Sequence, residues 1–356
     1  MSGRRVLVFG ERIRPPADEG IKKLTVHLAQ GLRHHADILF LTAHGADVPE
    51  WGCTNVSANR LLFGPGVARA VARSGADAVI YVPTASLTAA TLLRAWLLRG
   101  YARGAPLIVV ALQPRPETPL MRVMARLPGL QAIRVAVMSE RTARQVQSLG
   151  LQAVWWTPGV DLDRFRPLDE AARAALRARY GFRDADFVVA HIGHIRAGRN
   201  LDVLTEFAQA GMRPLLVGST STPQEGALRE SLEAAGVRVI TEYLPRVEEI
   251  YQLCDAYLFP TPYAEGEVAS IDVPLSVLEA MACDRPVVTT PFGGLPRLFA
   301  EGDGLLYART EPEMMRALER IRAGIPVRTR QRVLGHSWSQ AAEALLRAVL
   351  RGGPRA

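Results

Sequence analysis

Short apolar runs alternate with helically spaced stretches along almost the whole chain. In the first half the apolar runs are residues 5–9, 37–42, 78–82, 107–112, 134–138 and 153–156. Each is short and continuous, as expected of strands buried on both faces. The segments 20–33, 66–74, 87–99 and 140–149 between them read as helices. After Pro167 the series begins again, with a helix at 169–180 and a strand at 187–192. Further strands are expected at 214–218, 237–240, 256–259 and 286–289, with helical patterns between. Such alternation predicts an α/β fold of parallel sheets covered by helices. Two series predict two doubly wound, Rossmann-like domains joined near 157–167, a stretch punctuated by Pro and Gly.

Length agrees, because 356 residues exceed one typical domain and suit two. The first strand follows Met1-Ser-Gly-Arg-Arg5 directly, so no secretory leader is expected, and no apolar run reaches the roughly 18–20 residues of a membrane span. Cys53, Cys254 and Cys283 lack metal spacing and any disulfide framework, which suits a reducing cytoplasm.

Charge is placed unevenly. Residues 1–158 hold 19 Lys and Arg against 9 Asp and Glu, a surplus of +10, whereas the remainder holds 24 against 26. A field of this sign attracts anions: a phospholipid surface, a phosphorylated acceptor or nucleic acid. Arginine-rich solvated surface is the plain alternative. Charge alone suggests nucleic acid; helix-turn-helix and RNA-recognition patterns are missing, so no nucleic-acid partner is expected. The segment 87–99, with Trp96 among leucines and Arg94 and Arg99, reads either as a core helix, the favoured reading, or as a basic amphipathic helix docking peripherally on an anionic membrane.

Four stretches carry candidate chemistry. The first is Thr157-Pro-Gly-Val-Asp161, a turn leaving a strand. The second runs from His191 to Asn200, where a strand ends at Gly193 and is followed by His194, Arg196, Gly198 and Arg199. Glycine permits close backbone approach and arginine forks onto phosphate oxygens, so this loop suits a phosphate group; a solvated turn is the alternative. The third is Ile271-Asp-Val-Pro-Leu-Ser-Val-Leu-Glu279. Asp272 or Val273 is the expected N-cap and Pro274 the first helical residue. The Leu275 and Ser276 amides then face an anion, and Glu279, one turn in, can accept hydrogen bonds from a vicinal diol. The fourth is Pro286-Val-Val-Thr-Thr-Pro-Phe-Gly293-Gly294, a buried strand and a turn.

In this order and spacing the stretches resemble family 4 of the glycosyltransferases, a retaining family of GT-B architecture. The resemblance rests on Pro158-Gly-Val-Asp161 with Phe165-Arg-Pro167, on the segment from Tyr243 to Thr261, on Leu278-Glu-Ala-Met-Ala282 through Val288, and on Gly293-Gly294. It implies two Rossmann-like domains facing a cleft: 1–158 for the acceptor, 159–336 for a nucleotide-sugar donor, and a C-terminal helix within 337–356 packing back on the first. It further implies that Glu279 binds the donor ribose, and that His194 and Arg199, with Arg196 as an extra candidate, hold the diphosphate together with the Leu275 and Ser276 amides. The backbone at Tyr243 and Leu244 would face the base. Gly20 would lie in a flexible glycine loop, Asp272 beside the donor, and Lys22 near sugar or acceptor.

Departures cluster at the sugar end. The family's second glutamate falls at Ile271, with Glu265 and Glu267 as substitutes; its usual histidine falls at Gln113, a candidate sugar or acceptor contact; and Arg297 stands where a glutamate is common. The expected activity is metal-independent transfer from a UDP- or GDP-linked sugar with retention of configuration, without a cofactor. Arg196, Arg199 and Glu279 are the expected catalytic set. Rival readings are a non-catalytic nucleotide-binding scaffold, a nucleotide-sugar epimerase and a phosphorylase.

Overall fold

The computed structural model describes residues 3–59, 63–221, 224–263 and 270–351. Its described residues form two compact units: residues 3–159, 270–272 and 338–351 in one, 160–263 and 273–337 in the other.

The first unit holds a seven-stranded parallel sheet: β1 (Arg5–Gly10), β2 (Asp37–Ala43), β3 (Cys53–Val56), β4 (Ala78–Val82), β5 (Leu107–Val110), β6 (Arg134–Val137) and β7 (Gln152–Trp155). Their spatial order is β3-β2-β1-β4-β5-β6-β7. Val6 pairs with Ile38 on one side and Ala78 on the other, so β1 is central. The helices are α1 (Gly20–Leu32), α2 (Gly64–Ser74), α3 (Ala89–Tyr101), α4 (Pro119–Ala125) and α5 (Glu140–Ser148). Strand side chains alternate between faces. Leu7, Phe9, Val79, Tyr81, Val109 and Val135 bury against the helices α2 to α5. The segment 87–99 is largely that core helix: Leu87, Leu92, Ala95 and Leu98 are buried, while Trp96 stays exposed.

The second unit repeats the plan with α6 (Glu170–Arg179), β8 (Val188–Gly193), α7 (Val203–Gln209), β9 (Arg213–Gly218), α8 (Gly226–Ala234), β10 (Arg238–Ile240), α9 (Glu248–Leu253), β11 (Ala256–Phe259), α10 (Leu275–Ala282), β12 (Val287–Thr289), α11 (Leu295–Leu298), β13 (Leu305–Tyr307), α12 (Glu311–Arg322) and α13 (Thr329–Val333). Its strands are all parallel, in the order β10-β9-β8-β11-β12-β13. This is the doubly wound order, reversing between β8 and β11. Asp169 caps α6 through the Ala172 amide, and Arg173 and Arg177 from that helix grip Asp255 just before β11.

Several elements escape the sequence pattern, among them β3, β13, α4 and the helices α11 to α13. β3 is an edge strand with Thr54 and Asn55 exposed, so it carries no apolar run. β13 has three residues and α4 seven, both too short for periodicity to register. All three thiols are buried, and desolvation pushes Cys53 and Cys254 up to about 12, which leaves them unreactive.

The last helix, α14 (Trp338–Leu350), belongs to the first unit and packs along α1. His27 stacks on Trp338 at 5.5 Å, and the Trp156 indole donates to the Ala341 carbonyl at 2.9 Å. Gly31 makes this approach close: a β-carbon there would stand 2.5 Å from the Trp338 carbonyl oxygen. Alanine is the better helix former by about 1 kcal/mol, but a backbone overlap of this kind costs about 1–3 kcal/mol. Gly31→Ala should therefore destabilise the protein, by up to about 2 kcal/mol net, read as a lower denaturation midpoint in urea; a raised midpoint would show that α14 shifts freely on α1.

Candidate functional site

Where a doubly wound sheet reverses its strand order, helices leave neighbouring strands in opposite directions and a crevice opens at the carboxyl ends. In the second unit this point lies beyond β8 and β11. β8 enters it as Val188-Val-Ala-His191-Ile-Gly193, and the loop continues to Asn200 before α7. Asn200 Nδ2 reaches the Pro260 carbonyl at 3.5 Å, tying that loop to the end of β11.

Tyr257 of β11 is the hub. Its side chain is fully buried, and an apolar strand cannot satisfy its hydroxyl. The hydroxyl donates to the Ile192 carbonyl at 3.4 Å, and the Ser276 side chain in the first turn of α10 lies close enough to lower its pKa. Burial raises its pKa, partly offset by the Ser276 side chain and, more weakly, by the Arg199 charge. One phenol thus joins the end of β8 to the start of α10, close to Arg199.

Arg199 is 5% exposed, and desolvation lowers its pKa to about 10, with Arg196 adding like-charge repulsion. It remains a cation at neutral pH, fixed inside the unit rather than waving in solvent. Arg196 is exposed and His194 half-buried. Gly193 leaves room for this packing. A β-carbon there would lie 2.9 Å from His191 Nε2 and 3.7 Å from Arg199 Nη1.

On α10, Glu279 is also buried, and the Tyr251 hydroxyl of α9 donates to it at 2.6 Å. The Tyr251 and Tyr257 rings lie 5.3 Å apart. Glu279 and Ser276 lie three residues apart on one helix face. The Leu275 and Ser276 amides begin that helix, where no preceding turn supplies carbonyl partners. The arrangement offers a buried cation, helix-start amides and an oriented carboxylate, a set suited to a diphosphate at one end and a diol at the other.

Of the residues the pattern singled out, the structure gathers Arg199, Glu279, Leu275 and Ser276 around Tyr251 and Tyr257, two tyrosines the pattern did not single out. A tyrosine inside an otherwise apolar strand, as in Ala256-Tyr-Leu-Phe259, was the available signal, since a buried hydroxyl needs a partner. Pro274, expected as the first helical residue, is the N-cap: its ψ of 121° is extended, and the helix begins at Leu275. Tyr243 is half-exposed, and Leu244 lines a surface hollow of ≈ 350 Å³ with Arg179, Tyr180, Pro245, Arg246 and Glu249.

Asp272, Gly20, Lys22 and Gln113 fall in the first unit, and Arg297 in the second. Asp272, expected beside a donor, is fully buried; its carboxylate accepts from Ser139 Oγ at 2.6 Å and Thr142 Oγ1 at 2.5 Å, at the start of α5. A carboxylate is favoured at a helix N-terminus, which accounts for that choice. Gly20, expected in a loop, is the first residue of α1, and a β-carbon there would touch Ile271 at an ordinary 3.5 Å. Lys22 is buried with its ammonium 3.8 Å from Glu19. Gln113 is buried too, its amide oriented to donate to the Ser270 carbonyl and accept from Arg115. Arg297 is exposed in α11. Glu265 and Glu267 lie outside the described residues.

The sequence model of a family described as Glycosyl transferases group 1 matches residues 186–323, the stretch that builds this crevice. A D-inositol 3-phosphate glycosyltransferase of Mycobacteroides abscessus is 34% identical over 205 residues, 53% of this chain and 44% of that protein. The chain spans about half the length of the curated relatives it matches. Among solved structures, a glycosyltransferase from Rickettsia africae superposes with a TM-score of 0.77 at 12% identity, covering 99% of this chain and 100% of that one. Anabaena Alr3699/HepE in complex with UDP-glucose gives 0.64 at 17% identity, covering 98% and 96%. The fold is thus of the GT-B type.

His191 adds a pH dependence. Its Nδ1 bonds the Leu258 carbonyl at 2.8 Å, and burial lowers its pKa to about 4 despite that bond. The ring is neutral when folded, whereas an unfolded histidine titrates near 6.5. The unfolded chain therefore binds more protons between these values, and stability falls as pH drops from about 6.5 to 4. The loss should approach about 3 kcal/mol at the acid end. Urea denaturation of wild type and His191→Asn at neutral and acid pH checks this: the variant should lose that share of the acid sensitivity, and equal sensitivity in both would remove His191 as its source.

Proposed function

We propose that this chain is a glycosyltransferase that moves a sugar from a nucleoside diphosphate, UDP- or GDP-linked, to an acceptor hydroxyl with retention of configuration. The observation that carries the reading is the convergence, at the switch point of the second unit, of a buried arginine, the α10 amides and a tyrosine-held glutamate. The match of residues 186–323 to a glycosyltransferase family supports it, as do the names of the relatives. A structural neighbour solved with UDP-glucose supports a uridine donor.

In this reading Arg199, with His194 and Arg196, and the Leu275 and Ser276 amides take the diphosphate. Glu279 takes the ribose hydroxyls, held in place by Tyr251, and the backbone at Tyr243 and Leu244 meets the base. The donor then belongs to the 159–336 domain and the acceptor to 1–158. Buried free thiols suit a reducing compartment, the cytoplasm.

Transfer breaks the bond between the anomeric carbon and the diphosphate oxygen, and the electron pair leaves with that oxygen. The acceptor oxygen bonds the anomeric carbon from the same face, and its proton passes to the departing phosphate. Negative charge grows on the diphosphate, so fixed donors there lower the barrier. One such donor is worth about 3–4 kcal/mol in comparable sites. Arg199 fits because burial has already removed its water and set its position.

Calorimetric titration of UDP, GDP and ADP tests the site. One nucleotide should bind saturably, with Arg199→Ala weaker by about ten- to a hundredfold and Glu279→Ala by about tenfold, both variants keeping the wild-type circular dichroism. Binding of none of the three would overturn the reading. Once a donor and acceptor pair is found, NMR of the first-formed product should show the donor's anomeric configuration; an inverted product would exclude the same-face mechanism.

A further inference from the structure

The outer surface of α3 and α4 in the first unit combines two features. It is apolar where it should be wet. Leu120 is 56% exposed and Val123 55%, and Trp96 of α3 is 37% exposed. Leu120 and Val123 are three residues apart on α4, so they share a face, and Leu127 follows four residues after Val123. α3 and α4 pack together, and the Trp96 indole donates to the Pro128 carbonyl at 3.0 Å, which brings its ring to the end of the same segment.

This surface is also predominantly basic. From residue 87 to 139 the chain has seven arginines and a single acid, Glu117. Arg103, Arg122 and Arg126 are exposed around the apolar side chains, and Arg99 reaches the Gly129 turn. Glu117 accepts from Arg122 at 2.5 Å and so neutralises one of them. Arg94 is answered by Glu11 at 2.8 Å, and Arg115 and Arg134 donate to backbone carbonyls, so the basic character of this face rests on Arg99, Arg103, Arg122 and Arg126. A protein partner for exposed leucine, valine and tryptophan would not by itself call for a ring of one sign. An anionic lipid surface calls for both: side chains that enter the acyl boundary and guanidinium groups at the phosphates.

We infer that the α3–α4 face is a docking surface for anionic membrane, with Leu120, Val123 and Trp96 entering the interface and Arg103, Arg122 and Arg126 meeting the headgroups. The inference stands apart from the proposed transferase activity. Among the described residues no helix is long and apolar enough to cross a membrane, so attachment of this kind is peripheral. The segment 87–99 contributes only its exposed edge, Trp96 and Arg99, while α4 supplies the inserting residues.

Flotation of the full chain with vesicles of phosphatidylcholine, with and without phosphatidylglycerol, tests it. Wild type should float with the anionic vesicles and stay behind with the neutral ones, and high salt should weaken the attachment. Leu120→Ser with Val123→Ser should abolish flotation. Arg103→Gln with Arg126→Gln should weaken it about fivefold per arginine removed. Both pairs are surface substitutions, so the melting temperature and nucleotide binding should stay at wild-type values, which separates failure here from failure at the donor site. No flotation of wild type on anionic vesicles overturns the inference. So does flotation equal in all three proteins. A wild type that sediments as a dimer while the Leu120, Val123 variant is monomeric would assign the face to a second copy of the chain instead.

Discussion

A phenol hydroxyl in the middle of an apolar sheet must find hydrogen-bond partners, and the organisation of the second unit follows from where Tyr257 finds them. Its proton goes to the Ile192 carbonyl at the end of β8, and its oxygen lies beside the Ser276 side chain in the first turn of α10. An unpaired buried hydroxyl costs about 1–3 kcal/mol, so the phenol is held at the end of β8, with the start of α10 packed beside it. That placement sets the place of everything around it. Arg199 packs against the same strand end, and Glu279 sits one turn into α10, where Tyr251 reaches it. Neither charged group was brought inside by its own preference. Both are inside because the sheet reverses direction here and leaves a crevice that apolar side chains do not fill.

The first unit meets the same problem with a different answer. Its reversal lies between β1 and β4, and Tyr81 of β4 is again a buried phenol. Here the hydroxyl donates to Glu11, just past β1, which also accepts from the Thr84 amide at 3.1 Å and from Arg94 at 2.8 Å. The carboxylate is enclosed by three donors from its own unit, and burial and its charge raise the Tyr81 pKa well above the usual phenol range. One fold thus carries an internally closed polar cluster in one unit, and in the other a set whose cation and helix-start amides suit an anion from outside. That difference is why the donor reading attaches to the second unit.

Asp272 illustrates how local context misleads. Three residues before a helix start, an aspartate reads as a cap or as a ligand-binding group, and both were reasonable from the letters. In the structure its amide donates to the Leu112 carbonyl at 2.7 Å and its carboxylate sits at the start of α5. Ser139, the N-cap of α5, lies 133 residues earlier, a distance at which pattern carries no information. The neighbouring Gln113 is similarly committed to Ser270 and Arg115.

Local pattern was enough for the two α/β series, for most strand positions to within two residues, and for the glycine- and arginine-bearing loop from Gly193 to Arg199. Those features are written in local terms: apolar runs of strand length, glycine at a strand end, and a helix start read from proline and small polar residues. What it left out was short or polar, as with β3, β13 and α4, or depended on contacts between distant segments. The tertiary structure alone decided that Tyr251 and Tyr257 orient the candidate site, that Asp272 serves α5, and that α4 turns leucine and valine outward among arginines. Each of these turns on which partner a buried hydroxyl, a carboxylate or an apolar face meets, and that choice is made only when strands far apart in sequence come to lie side by side.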